Sequence, residues 1–237
     1  MTTSVALPPN FNEDKKDIID FTYQRLLPRP MSFADLGGCW GVDGAYTFYT
    51  LQQFGASRAI LVDTDPTDKA LTIGRQFPAL TIVKGNFGDV AVQQQVGDVD
   101  AIFLFDVLLH QVKPDWDQVL AMYAPHTRFF VVYNQQYVGS RETVRLLDLG
   151  RDEYFANVPA DPHLPPYSTL FEKMYEINPA HGRIWRDVHN VWQWGIVDRD
   201  LLACLERLGF TMQLYKNCGQ WGSLKNIQNH AFVFQKR

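Results

Sequence analysis

The 237-residue sequence predicts an α/β fold: a doubly wound, mostly parallel seven-stranded sheet with an antiparallel C-terminal strand and an inserted segment. Three observations predict it. Short apolar runs alternate with helical patterns between residues 32 and 134, as parallel strands covered on both faces require. A glycine-rich turn leaves the first run. Two further apolar runs, joined by a glycine-containing stretch, close the chain after the regular beat has stopped at Tyr133.

The elements follow in order. Within an N-terminal segment, 1–31, the residues Ile18, Ile19, Phe21, Tyr23, Leu26 and Leu27 fall near helical spacing, and Pro28 and Pro30 end that helix. A core, 32–134, places strands at 32–36, 59–63, 81–84, 101–105 and 129–133, with helices at 44–54, 67–76, 90–96 and 116–123 between them. An insertion, 135–196, is rich in Pro, Tyr, Trp, His and Arg, with helical stretches expected at 141–149 and 168–175. The last part, 197–237, reads as a helix at 198–208, then strands at 210–215 and 230–234 pairing antiparallel at the sheet edge. One domain carrying an insertion is expected, not two domains.

Composition narrows the class. Hydrophobic residues make up 46% and charged residues 20%, ordinary for a globular chain. The net charge is -4 and the basic residues are scattered, which argues against a nucleic-acid partner and for a small-molecule substrate. Cys39, Cys204 and Cys218 form neither a C-x-x-C pair nor a zinc spacing, and thiols of this kind suit a reducing cytoplasm. Met1 to Asn10 lacks a signal-peptide pattern, and no apolar run approaches a membrane span. No membrane partner is expected, and a homodimer is left open.

The chemistry gathers at the first turn, Asp35-Leu36-Gly37-Gly38-Cys39-Trp40-Gly41-Val42-Asp43-Gly44. Glycines at a strand-to-helix turn let the backbone approach a ligand and present amide N–H groups. About twenty residues on, the second strand ends in Asp63, where a carboxylate meets ribose hydroxyls. Thr64 follows it. The dinucleotide pattern G-x-G-x-x-G fails from Gly37, where Cys39 and Val42 intervene, and from Gly38, where Trp40 and Asp43 do. Asp35 would repel a pyrophosphate yet suits a cofactor bearing an ammonium group.

In these residues the sequence resembles the class I S-adenosylmethionine-dependent methyltransferases. Their first motif reads acid-x-Gly-x-Gly-x-Gly, and residues 35–41 match it except at Cys39. The resemblance covers roughly 32–133. It implies a Rossmann-like methyltransferase fold with S-adenosylmethionine as cofactor. Asp35 and the Gly37, Gly38, Cys39 and Gly41 backbone would hold the methionine part, and Asp63 the ribose. Asn86 and Phe87 would meet the adenine, while Asp106 and Val107 would run beneath the cofactor.

Methyl transfer from a sulfonium needs alignment and, for a hydroxyl acceptor, a base. His110 after the fourth strand and His189 in the insertion are the candidate bases, with Asp106 in support. Tyr133 and Asn134 leave the fifth strand toward the acceptor. The stretch 183–195 holds three of the six tryptophans, so Arg183, Arg186, His189, Trp192 and Trp194 are candidates to line a polar-ring pocket. Asp106, His110, Asp187 and His189 form no dense carboxylate cluster, and no metal is assigned. The expected activity is O-methylation of a small polar metabolite such as a sugar or natural-product hydroxyl. Three alternatives stay open: a small-molecule N-methyltransferase, an NAD(P)-dependent oxidoreductase disfavoured by the missing glycines, and a catalytically silent cofactor-binding module.

Overall fold

Helix α1 (Glu13–Phe21) begins where the Asn12 side chain accepts the Lys15 backbone N–H at 3.1 Å, satisfying one of the free donors of the first turn. This computed structural model describes residues 7–26 and 31–237. Beyond α1 the chain widens into a π-helical turn, Thr22–Leu26; the expected stops at Pro28 and Pro30, and Leu27, lie outside the described residues.

The alternating core then unfolds in chain order. Strand β1 (Met31–Leu36) leads to α2 (Ala45–Phe54), β2 (Ala56–Asp63), α3 (Asp68–Gly74), β3 (Leu80–Lys84), α4 (Val90–Val96), β4 (Val99–Phe105), α5 (Trp116–Tyr123) and β5 (Thr127–Tyr137). The insertion contributes only short pieces: β6 (Val144–Arg145), α6 (Arg151–Asn157), α7 (Tyr167–Leu170), β7 (Ile177–Asn178), β8 (Arg183–Ile184) and β9 (Trp194–Gly195). Helix α8 (Asp198–Arg207), β10 (Phe210–Gln220) and β11 (Ile227–Lys236) complete the chain.

Seven strands form one sheet in the order β10-β11-β5-β4-β1-β2-β3, and β11 alone runs antiparallel to its neighbours. Successive side chains of a strand point to opposite faces, so each strand feeds two cores. Phe33, Phe103, Phe129 and Val131 pack against α1 and α2, whereas Ala34, Ile102, Leu104, Phe130 and Val132 pack against α4, α5 and α8. Each fully buried large side chain contributes about 1.5–3 kcal/mol to holding these layers together. From β3 at one edge the chain crosses back to β4, on the far side of β1. This reversal opens a crevice beyond the carboxyl ends of β1 and β4, the place where such sheets take ligands.

Three expectations need correction. The polar stretch 133–137 is not a loop leaving the fifth strand. It continues β5, because Asn134, Gln135, Gln136 and Tyr137 pair in register with His230, Asn229, Gln228 and Ile227 of β11. The ladder to β11 outweighs the low strand propensity of Asn and Gln, and the insertion leaves the sheet only after Tyr137. The helix expected at 141–149 is instead β6 followed by a 3-10 turn, Leu146–Leu149, since Val144 and Arg145 pair with Gly195 and Trp194. At 168–175 the helix is the short α7, which gives way to turns. The insertion builds a third apolar cluster from Tyr137, Leu146, Tyr154, Leu170, Trp192 and Ile227. Among the described residues no helix is long and apolar enough to cross a membrane.

Candidate functional site

Strand β1 delivers Asp35 to the floor of the crevice. Its carboxylate is 1% exposed, and Oδ2 accepts the Thr47 hydroxyl at 2.7 Å from α2. Oδ1 is buried without a hydrogen-bond partner, a rare condition for a carboxylate oxygen. Burial pushes the Asp35 carboxyl up to about 6, while the Thr47 hydroxyl and the nearby Lys15 pull the other way.

The turn above is shaped by its glycines. Gly37 has φ +79°, and a Cβ there would sit 2.6 Å from Val107 Cγ1. At Gly38 a Cβ would come within 2.5 Å of Asp35 Oδ2, so the backbone lies directly on the carboxylate. Cys39, the departure from the glycine pattern, is fully buried with Phe48, Leu61 and Ala70, and burial pushes its thiol up to about 12. Its backbone N–H still donates to Asp63 Oδ2 at 2.9 Å, which ties the loop to the end of β2. Asp63 Oδ1 accepts from the Asp65 N–H at 3.0 Å, and the adjoining Thr64 is exposed. Gly41 lies at the rim, its carbonyl held by the Asn10 side chain.

After β4 the chain turns at Asp106, which has φ 60°, a conformation that a non-glycine residue adopts only when its surroundings hold it there. Its carboxylate takes Gln135 Nε2 at 2.6 Å on one oxygen and the Lys15 ammonium on the other. Val107 follows, against Gly37. Tyr133 comes up beside Asp106, its hydroxyl accepting from Asn12 Nδ2 at 3.2 Å. Asn134 points to the opposite face of the sheet and is fully buried, with Oδ1 unpartnered.

A second cluster joins the loop after β3 to the insertion. His189 Nε2 lies 2.7 Å from Arg183 Nη1 and 3.1 Å from Asn86 Nδ2. Two donors fix that nitrogen as an acceptor, so the ring is neutral; burial first, then Arg183, lowers its pKa to about 4. Asn86 Oδ1 accepts the Gly88 N–H at 2.8 Å, and Phe87 lines the same wall at 9% exposure. His110 is oriented differently. Its Nδ1 donates to the Val191 carbonyl at 2.9 Å, which leaves the lone pair on Nε2, and burial lowers its pKa.

The insertion is fastened by packing as much as by polar contacts. Trp192 packs edge-on against Trp221 and His110, and Trp194 Nε1 donates to the Gln111 carbonyl at 2.8 Å. Asp187 is taken by Lys113 and Arg145, and Arg186 by Asp148 and Tyr175. Among the described residues no three His, Cys, Asp or Glu side chains converge as a metal site would need.

The crevice thus brings together Asp35, Gly37, Gly38, Cys39, Asp63, Asp106, Val107 and Tyr133, while Asn86, Phe87 and His110, from the loops after β3 and β4, meet Arg183 and His189 or their neighbours in the insertion. Arg186 pairs apart from them. Sequence reasoning missed Lys15, Asn12 and Gln135. Lys15 was signalled: with Ile18, Ile19 and Thr22 it repeats at i, i+3, i+4 and i+7, the buried stripe of the helix.

No protein-family model matches the sequence, and no curated protein matches it. Solved structures do resemble the fold. The N-terminal domain of EvdMO1, determined with S-adenosylhomocysteine and D-fucose, superposes with a TM-score of 0.61 at 12% identity, covering 96% of this chain and 84% of that one. The fold is that of the class I S-adenosylmethionine-dependent methyltransferases. The Burkholderia thailandensis 1,6-didemethyltoxoflavin-N1-methyltransferase gives a TM-score of 0.59 at 14% identity, over 94% of this chain and 78% of that one. The mitomycin 7-O-methyltransferase MmcR gives 0.54 at 16% identity, over 95% of this chain and 53% of that one.

Proposed function

We propose that this protein is an S-adenosylmethionine-dependent methyltransferase that O-methylates a small polar metabolite, such as a sugar or natural-product hydroxyl. One observation carries the cofactor reading. Asp35 holds a buried, unpartnered carboxylate oxygen directly beneath the glycine turn, and an ammonium group is the ligand chemistry that satisfies it. The residues fit the group: Asp35 and the backbone of 37–41 for the methionine part, Asp63 for the ribose, Asn86 and Phe87 for the adenine, and Val107 beneath. The cofactor supplies a methyl group already activated on a sulfonium. This chain's residues align the acceptor, exclude water and hold a proton. Neutral His110, with Nε2 free to accept, supports a hydroxyl acceptor. The free thiols Cys39, Cys204 and Cys218 support a reducing compartment.

Calorimetry with S-adenosylhomocysteine tests the reading. Asp63→Ala is expected to weaken binding by about 1–3 kcal/mol, the scale of lost hydrogen bonds to a charged acceptor. Because Asp63 also holds the Cys39 N–H, thermal unfolding is measured alongside. Unchanged affinity removes Asp63 from the site, and binding of a nicotinamide dinucleotide in place of S-adenosylhomocysteine overturns the reading.

Asp35 adds a pH dependence. Its carboxyl titrates at about 6 in the free protein, and a ligand ammonium favours the ionised form. Binding therefore releases a proton near that pH, and affinity is expected to fall as pH drops through about 6. Affinity that stays flat well below this point would show that no cation meets Asp35.

A further inference from the structure

Lys15 sits in the first turn of α1 with only 7% of its surface exposed. Its ammonium pairs with Asp106 and lies 5.0 Å from the ring centre of Tyr133, 5.2 Å from that of Tyr46 and 5.9 Å from that of Phe105. It is also close enough to Asp35 to favour that group's ionised form. The cation is therefore paired with the carboxylate at the end of β4 and walled by aromatic faces.

Three further bonds fix it there. The Asn10 side chain donates to the Gly41 carbonyl, the Asn12 N–H donates to the Tyr46 hydroxyl at 2.9 Å, and Asn12 Nδ2 donates to the Tyr133 hydroxyl at 3.2 Å. Every one joins the N-terminal strap to the glycine turn or to the walls of the crevice. A buried ion pair is a poor source of stability, because desolvation consumes most of the attraction. Fold stability alone thus gives little reason for a lysine at the end of this strap. An α-amino-acid ligand gives one: it brings an ammonium, which Asp35 and Asp106 match, and a carboxylate, which needs a cation.

We propose that Lys15 is a binding residue for the α-carboxylate of the cofactor's amino-acid part, contributed by a strap outside the glycine motif. This rests on the cofactor reading above. Without ligand, Lys15 is compensated by Asp106; with ligand, the incoming carboxylate and ammonium add one charge of each sign, so the crevice gains no net charge. The strap thereby distinguishes an intact amino-acid nucleoside from one that has lost its carboxylate.

The test compares, by calorimetry, S-adenosylhomocysteine with its decarboxylated analogue, which keeps the nucleoside and the amine. The native protein is expected to prefer the carboxylate form at least about tenfold, equivalent to about 1.4 kcal/mol. Lys15→Gln should abolish that preference, and Lys15→Arg should keep it. Equal binding of the two ligands by the native protein overturns the proposal without any variant. So does a Lys15→Gln protein that keeps the preference or loses both ligands alike. If the native protein binds neither ligand, the cofactor reading itself falls, a result distinct from equal binding of both.

Discussion

Gly38→Ala is expected to destabilise the protein by about 1–3 kcal/mol, the cost of forcing a methyl group into filled space, and to abolish binding of S-adenosylhomocysteine. The added Cβ would lie 2.5 Å from Asp35 Oδ2, 2.6 Å from Cγ and 2.7 Å from Oδ1. A long surface side chain would swing aside. Asp35 has little such freedom: it is short, 1% exposed and tied to Thr47. The turn must lift instead, and lifting it pulls the Cys39 N–H from Asp63, so the surroundings of Asp35 and of Asp63 are disturbed together. A double-mutant cycle separates this cause from a general intolerance of the loop. With Asp35→Ala in place the obstructing carboxylate is gone, and Gly38→Ala should then cost less than it does alone. Denaturant unfolding of the four proteins measures the coupling. Strictly additive costs would show that the carboxylate is not what Gly38 accommodates. Gly41→Ala is the contrast: its φ of +74° disfavours a side chain, but nothing lies closer than Asn10 at 4.0 Å. That variant should lose only about 1 kcal/mol from backbone strain.

The geometry around the glycine turn was legible in the sequence because it is local. Strand, glycine turn and helix follow one another, so Asp35, Gly37 and Gly38 reach their places by short-range geometry, and Asp63 follows from a strand ending one position over. Even Cys39 fits, since what the turn asks of that residue is a backbone N–H for Asp63. The placement of Lys15 was not legible in the same way. Lys15 meets Asp106 across 91 residues of sequence, and its helical stripe marks it as buried without saying against what. Residues 134–137 misled for a related reason: Asn and Gln read as loop, and only the register with β11 makes them strand. In the insertion, Trp192 and Trp194, candidates to line a polar-ring pocket, also pack, one on Trp221 and His110 and the other onto Gln111. His189, the second candidate base, has its Nε2 already shared by Arg183 and Asn86.

That difference between the histidines decides which one is asked to take the proton, and it carries the largest expected effect on turnover. His110→Gln should lower turnover about 10²–10⁴-fold, the usual contribution of a positioned base, while sparing affinity for S-adenosylhomocysteine. The Val191 carbonyl holds the Nδ1–H tautomer, which aims the lone pair through Nε2. Burial lowers the pKa, so the ring is neutral at physiological pH. Because the active form is the unprotonated one, the acid limb of the rate profile should fall at a lower pH than an exposed histidine would give. Nearby Asp106 limits the displacement by favouring the charged ring, so replacing it with Asn should move the limb further down. Transfer of labelled methyl groups to acceptors in a metabolite extract supplies the assay, and added imidazole should restore part of the lost rate in His110→Gly. His189→Gln, by contrast, should mainly disturb binding through Asn86 and leave the acid limb where it was. An acid limb that moves with His189 and not with His110 would exchange the two roles. Full turnover in both variants would point to an acceptor acidic enough, or nucleophilic enough, to need no base from this chain.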